Sequence, residues 1–173
     1  MRIRLTHEGS AFINFRDYKF QDRGGHGFRW VDIKILRLPA TPVEDGELLS
    51  AVIRHEQFRD DYAGGGVLPE GVRHGPYWLA SVTPDAYQTV SREQGTHILR
   101  GWVDLHGDVP AELEEDLRDG VFDRVAAADR LFYLNGLGDD AVHDWGRVHE
   151  FFHEFVLVDR RAERVALLVA ADD

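Results

Sequence analysis

The chain contains no cysteine, which removes disulfides, thiol nucleophiles and cysteine-ligated zinc from consideration. Serine is scarce too: only Ser10, Ser50, Ser81 and Ser91 occur, and none sits in a G-x-S-x-G elbow, so a serine hydrolase has no visible nucleophile. No apolar run approaches the roughly 18 residues that a membrane helix needs, and no basic-then-apolar opening resembles a signal peptide. A cytoplasmic protein without a membrane partner is the expectation. Lysine is almost missing, with Lys19 and Lys34 the only two, while the other 18 basic residues are arginines, which suit bidentate pairing with carboxylates.

What is abundant is negative charge. The formal net charge of −11 argues against nucleic acid, because phosphate binding is driven by clustered Lys and Arg. A basic protein partner, a cationic small molecule or a metal each complements that charge. At 173 residues, 43% hydrophobic and 29% charged, the chain has the make-up of one ordinary globular domain spanning residues 1–173. It shows no repeat, low-complexity tract or interior linker.

The most apolar stretch is the tail, Phe151 to Asp159 and then Val165 to Ala171, joined by the polar segment Arg160 to Arg164. It reads as a β-hairpin. Side chains alternate along a strand, so Phe151, Phe155 and Leu157 share one face while Phe152, Val156 and Val158 share the other. Two apolar faces place this hairpin in the middle of a covered sheet. Earlier in the chain, Arg2–Thr6, Ala11–Arg16, Phe28–Leu38, Tyr77–Val82, His97–Leu105 and Arg130–Leu134 read as strands. Helices are expected after Thr41-Pro42-Val43-Glu44, across the acidic run from Glu112, through Val121 to Ala126, and around Val142, Trp145 and Val148. About eight strands and four helices in mixed order predict an α+β domain with a largely antiparallel sheet and the C-terminal hairpin at its centre.

Three motifs invite a chemical reading. His149-Glu150-Phe151-Phe152-His153 satisfies H-E-x-x-H, in which a helix aims two histidines at one zinc ion and the glutamate acts as general base. The strand-like residues that follow weigh against it, since at ~3.3 Å per residue the two histidines of a strand lie about 13 Å apart. Gly136-Leu137-Gly138 with Asp159 has the outline of a dinucleotide fingerprint, yet Asp139 and Asp140 put negative charge where a phosphate belongs. Gly64-Gly65-Gly66 lacks the G-K-[ST] ending of a phosphate loop. No cofactor motif is complete, and no cofactor is expected.

Two functional classes remain open. In the first, the protein is a non-catalytic binder of a basic protein partner, with Glu112, Glu114, Glu115 and Asp116 as the densest acidic patch. Trp30, Trp78, Trp102 and Trp145 occupy strand or helix positions and read as core, with an aromatic binding patch as the alternative for any exposed subset. In the second, it is a small-molecule-binding enzyme whose lid is the glycine-rich stretch from Ala63 to Gly75, or a zinc hydrolase using His149 and His153.

Overall fold

The tail hairpin is the spine of the molecule. In a computed structural model that describes residues 2–173, β7 (Phe152–Asp159) and β8 (Arg164–Asp172) pair antiparallel from Phe152 opposite Ala171 to Asp159 opposite Arg164. Six strands form one antiparallel sheet in the order β1-β2-β8-β7-β6-β5, so the hairpin occupies its two central positions. The flanking strands are β1 (Thr6–Asn14) and β2 (Arg29–Arg37) on one side, β6 (Arg130–Leu134) and β5 (Tyr87–Val90) on the other. A second sheet is a two-residue pair, β3 (Arg73–His74) with β4 (Tyr77–Trp78). The fold is α+β, as composition and periodicity predict. Among the described residues, no helix is long and apolar enough to cross a membrane.

The two faces of the sheet are covered differently. On the first, Phe155, Leu157, Ala166, Leu168 and Ala170 pack beneath Leu99, Trp102 and Val103 of α2 (Arg92–Asp104) and Leu113 and Leu117 of α3 (Ala111–Leu117). Val125 of α4 (Asp123–Ala127) completes that layer. On the second face, Val156, Val158, Val165 and Leu167 meet Leu48, Leu49 and Val52 of α1 (Asp45–Arg54). Irregular chain from Phe58 to Val82 covers the rest of that face. Burying a side chain such as Leu167 contributes about 1.5–3 kcal/mol, which is why a sequence with apolar residues on both faces of a hairpin is driven to the middle of the sheet.

Several local expectations fail for identifiable reasons. The stretch His97–Leu105 is helix, not strand, because Leu99, Trp102 and Val103 recur at i, i+3 and i+4 and Ser91 with Gln94 makes a capping box. Residues Arg2 to Leu5 lie outside the sheet. β1 runs straight through Glu8-Gly9-Ser10, absorbing an irregularity between His7 and Gly9, so the two expected strands Arg2–Thr6 and Ala11–Arg16 are replaced by one, Thr6–Asn14. Thr41 does not cap a helix, since α1 starts at Asp45 after Glu44. The expected strand Tyr77–Val82 is two residues of β4 followed by a 3-10 turn at Leu79–Ser81. Around Val142 and Trp145 there is no α-helix, only 3-10 turns at Asp139–Ala141 and Gly146–Val148.

Candidate functional site

The second face of the sheet carries a buried polar network. Asp32 of β2 and Glu154 of β7 flank Val169 in one row, and Tyr87 reaches in from β5. Glu154 is 0% exposed. Its two carboxylate oxygens are engaged separately, Oε1 by His74 Nε2 and Oε2 by the Tyr87 hydroxyl, which donates to it. His74 Nδ1 lies 2.6 Å from the Phe58 carbonyl. Because a carbonyl only accepts, Nδ1 is the donor there, which leaves Nε2 facing Oε1 of Glu154. Beside this pair, Lys34 Nζ donates to Asp60 Oδ2 and to the Tyr62 hydroxyl, both at 2.9 Å, with Asp32 Oδ2 at 3.5 Å.

Burial sets the electrostatics. Desolvation pushes the Asp32 carboxyl up, Lys34 opposes the shift and Asp60 adds to it. Tyr62 and Tyr87 are both driven well above the ordinary phenol range by burial first, then by the carboxylates around them. Both therefore stay neutral, Tyr87 donating to Glu154 and Tyr62 accepting from Lys34. The residue types are those of acid–base chemistry, but Glu154 and His74 have no exposed surface, so a solute in bulk water does not reach them. What the network does is hold irregular chain against a sheet.

Histidine performs that holding more than once. His143 Nε2 lies 2.6 Å from the Gly75 carbonyl and His149 Nε2 lies 2.8 Å from the Asp61 carbonyl, each side chain buried. Outside regular structure a backbone carbonyl needs a donor from elsewhere, and these rings supply it.

The pentamer from His149 to His153 is not a zinc motif in space. It is not helical: β7 begins at Phe152, and Glu150 is exposed on the approach to it. His149 packs against Trp30 and Phe152 on the second face. His153 packs against Tyr133 and Phe151 on the first, with Tyr133 Oη at 2.9 Å from its Nδ1. The sheet itself separates the two rings. Among the described residues, no group of three or more His, Cys, Asp or Glu side chains is arranged to hold a metal. The Gly136–Gly138 segment likewise opens only a three-residue 3-10 turn. Asp159 accepts from the Ala162 amide in the β7–β8 turn.

The acidic patch is partly committed within the molecule. Glu114 forms a fork with Arg100, at 2.6 and 2.8 Å, and Asp116 accepts from the Tyr18 hydroxyl at 2.6 Å. Glu112 and Glu115 face solvent.

A surface that motif reasoning passes over is built on the segment from Asp139 to His149. Trp145 is 61% exposed and Val148 42% exposed, although helical spacing assigned Trp145 to the core. The two residues line a shallow groove of about 390 Å3 with Asp61, Ala63, Arg73 and Asp173. The turn that presents Trp145 is pinned: the His143 amide donates to Pro76 O at 3.1 Å, and the Trp145 amide donates to His143 Nδ1 at 3.1 Å. At Gly146 a Cβ would collide with the Pro76 carbonyl, so the close approach requires glycine. Leu68 and Val72 of the neighbouring glycine-rich loop are also exposed. The one sequence signal for this surface was a tryptophan inside a run of Asp and Gly too polar to be a core helix.

No protein-family model and no curated protein matches the sequence. Among solved structures, the chain is similar to citrus MAF1 in space group C 2 2 21, at 12% identity and a TM-score of 0.38, covering 91% of this chain and 94% of that one. The same citrus protein in space group P 31 2 1 gives 13% identity and a TM-score of 0.40, over 91% and 93% of the two chains. Likeness at this level assigns no function.

Proposed function

We propose that the protein is a non-catalytic binder of a basic protein partner, and that the Trp145 face is its contact surface. The observation that carries this reading is the exposed Trp145. A large aromatic costs free energy to keep in water, and tryptophan and arginine are the residues most enriched where protein partners are held. Here Trp145, Val148 and Arg73 line one groove. The sign of the partner follows from charge. Asp139, Asp140, Asp144 and Glu150 are all exposed along the same segment, against Arg147 alone, in a chain of net charge −11. Exposed Glu112 and Glu115 of α3 add to the long-range attraction, which acts mainly on the association rate.

A second reading has one observation in its favour: the groove touches Ala63 and Arg73 of the glycine-rich loop, as a lid over a small molecule would require. The test separates the two. A tagged chain is used to recover a partner, and the isolated pair is measured by calorimetry in rising salt. Trp145→Ala is expected to weaken binding by tenfold or more, about 1.4 kcal/mol, and Glu112→Gln with Glu115→Gln to reduce the salt dependence. A recovered ligand that is a small molecule, or a protein whose affinity is untouched by Trp145→Ala, overturns the proposal.

A further inference from the structure

The segment between β1 and β2 packs against the C-terminal end of α2 and carries a histidine into the interior. His26 lies in the 3-10 turn Gly24–Phe28 and is 0% exposed. Phe20 stacks on its ring at 4.8 Å between centroids, Phe15 lies at 6.0 Å, and the His106 ring meets it edge-on at 5.7 Å. Among the described residues, neither ring nitrogen of His26 has a hydrogen-bond partner. A buried polar group without a partner costs free energy. For packing alone a phenylalanine would serve better.

The charges that act on this ring share one sign. Arg29, the first residue of β2, is fully buried and its Nη2 is also unpartnered. Burial first, then Arg29 and His106, hold His26 below the usual histidine range. Backbone at His106 and Gly107 opposes that shift without overcoming it. Asp172 of β8 is the buried carboxylate of the cluster, and it is committed. It accepts from Arg29 Nε at 3.1 Å and from Trp102 Nε1 at 2.6 Å, with His106 Nε2 at 4.0 Å. Arg23 donates to the Tyr18 carbonyl and lies over the Phe20 ring. Lys19, Asp22 and Asp108 line an open pocket of about 540 Å3 together with Phe20 and His106. The cover over His26 is therefore thin, and it is tightly seated: a Cβ at Gly25 would lie 2.7 Å from the His106 ring.

We propose that His26 is an acid-operated latch, whose protonation releases residues 19–27 from the end of α2 and opens the pocket inward to Phe15 and Trp102 while the six-stranded sheet stays intact. In the closed form a charged imidazole faces Arg29 and His106 with no uncommitted carboxylate beside it. In the open form water solvates it. Above pH 6.5, the ordinary histidine value, both forms hold a neutral ring and the latch is unaffected. Below it the open form takes up the proton first, so the ratio of open to closed rises by up to tenfold per pH unit until the closed ring titrates as well. The latch does not depend on the Trp145 surface.

The test records amide spectra of the isotope-labelled full chain from pH 7.5 to 4.5. Resonances of residues 19–27 and 105–109 are expected to move to the positions of mobile chain, with a midpoint below pH 6.5, while those of residues 152–172 keep their dispersion. His26→Phe keeps an aromatic ring in the Phe20 stack but carries no charge, and it should hold the segment closed throughout. His106→Gln removes one repelling cation and should lower the open population at pH 5 by about twofold or more. If His26→Phe loses dispersion at pH 7.5, the His106→Gln measurement decides alone. No opening down to pH 4.5, opening that persists in a folded His26→Phe, an unchanged population in His106→Gln, or loss of residues 152–172 together with the segment overturns the proposal.

Discussion

The two faces of the central sheet solve one problem by different chemistry. Under α2, α3 and α4 the cover is helical and each helix satisfies its own interior backbone; the contact is apolar apart from the buried Arg29–Asp172 pair, which bonds the Val103 carbonyl and the Trp102 indole of α2. Under the stretch from Phe58 to Pro76 the cover is irregular, and its carbonyls need donors from side chains. The sheet there supplies Lys34 and Glu154, and the cover supplies Asp60, Tyr62 and His74. A cluster that resembles catalytic machinery thus arises from the needs of a loop, and residue type alone is a poor guide to chemistry.

That contrast is sharpest at Glu154. Glu154→Leu keeps the volume roughly constant but strands the Tyr87 hydroxyl and His74 Nε2 in the interior. A loss of about 3–5 kcal/mol in denaturant unfolding is expected. Adding Tyr87→Phe in that background should cost much less than in the parent, because its partner is already gone. Equal costs in both backgrounds would show that the carboxylate does not hold the hydroxyl.

The helical face offers a pH-dependent counterpart. Burial holds His153 below the usual histidine range, with Asp172 opposing and Arg29 reinforcing the shift. Tyr133 Oη lies 2.9 Å from its Nδ1, where a neutral ring can accept the hydroxyl proton and a charged ring cannot. Above pH 6.5, the ordinary histidine value, the group is uncharged in folded and unfolded chains alike. As pH falls below it, the unfolded chain takes up the proton first, and stability is lost until the folded ring titrates as well. His26 and His55 are shifted in the same direction by burial. His153→Gln should therefore flatten the acid limb of melting temperature against pH without abolishing it. Parallel curves for variant and parent would remove His153 from the acid response.

The smallest effect is expected at the surface. Trp145→Ala should change unfolding free energy by no more than about 0.5 kcal/mol, in spite of removing the largest side-chain type. A loss of several kcal/mol would mean that Trp145 is part of the packing and not a contact surface.

Much of the frame was legible because it rests on local periodicity. Phe155 and Leu157 against Val156 and Val158 split between the two cores as alternation requires. Arg130–Leu134 is a strand over the residues read from the sequence. At His97–Leu105 the helix is also written in the sequence: Ile98 and Trp102, like Leu99 and Val103, are four apart, a helical interval, and Ser91 with Gln94 marks the start. The segment holding Trp145 was not legible in this way, because its conformation is fixed by bonds to Gly75, Pro76 and Asp61, far away in sequence.

The sequence by itself determined the fold class and the central place of the tail hairpin, since a strand pair whose two faces are both mainly apolar has one favourable home, the middle of a covered sheet. Only the tertiary structure decided which polar residues meet. Glu154 finds His74 and Tyr87, eighty and sixty-seven positions away, while His149 and His153, four apart in the chain, end on opposite sides of the sheet. Periodicity is a property of neighbours along the chain, whereas hydrogen-bond partners are chosen by strand register and by the path of the covering loop, and no local pattern encodes either.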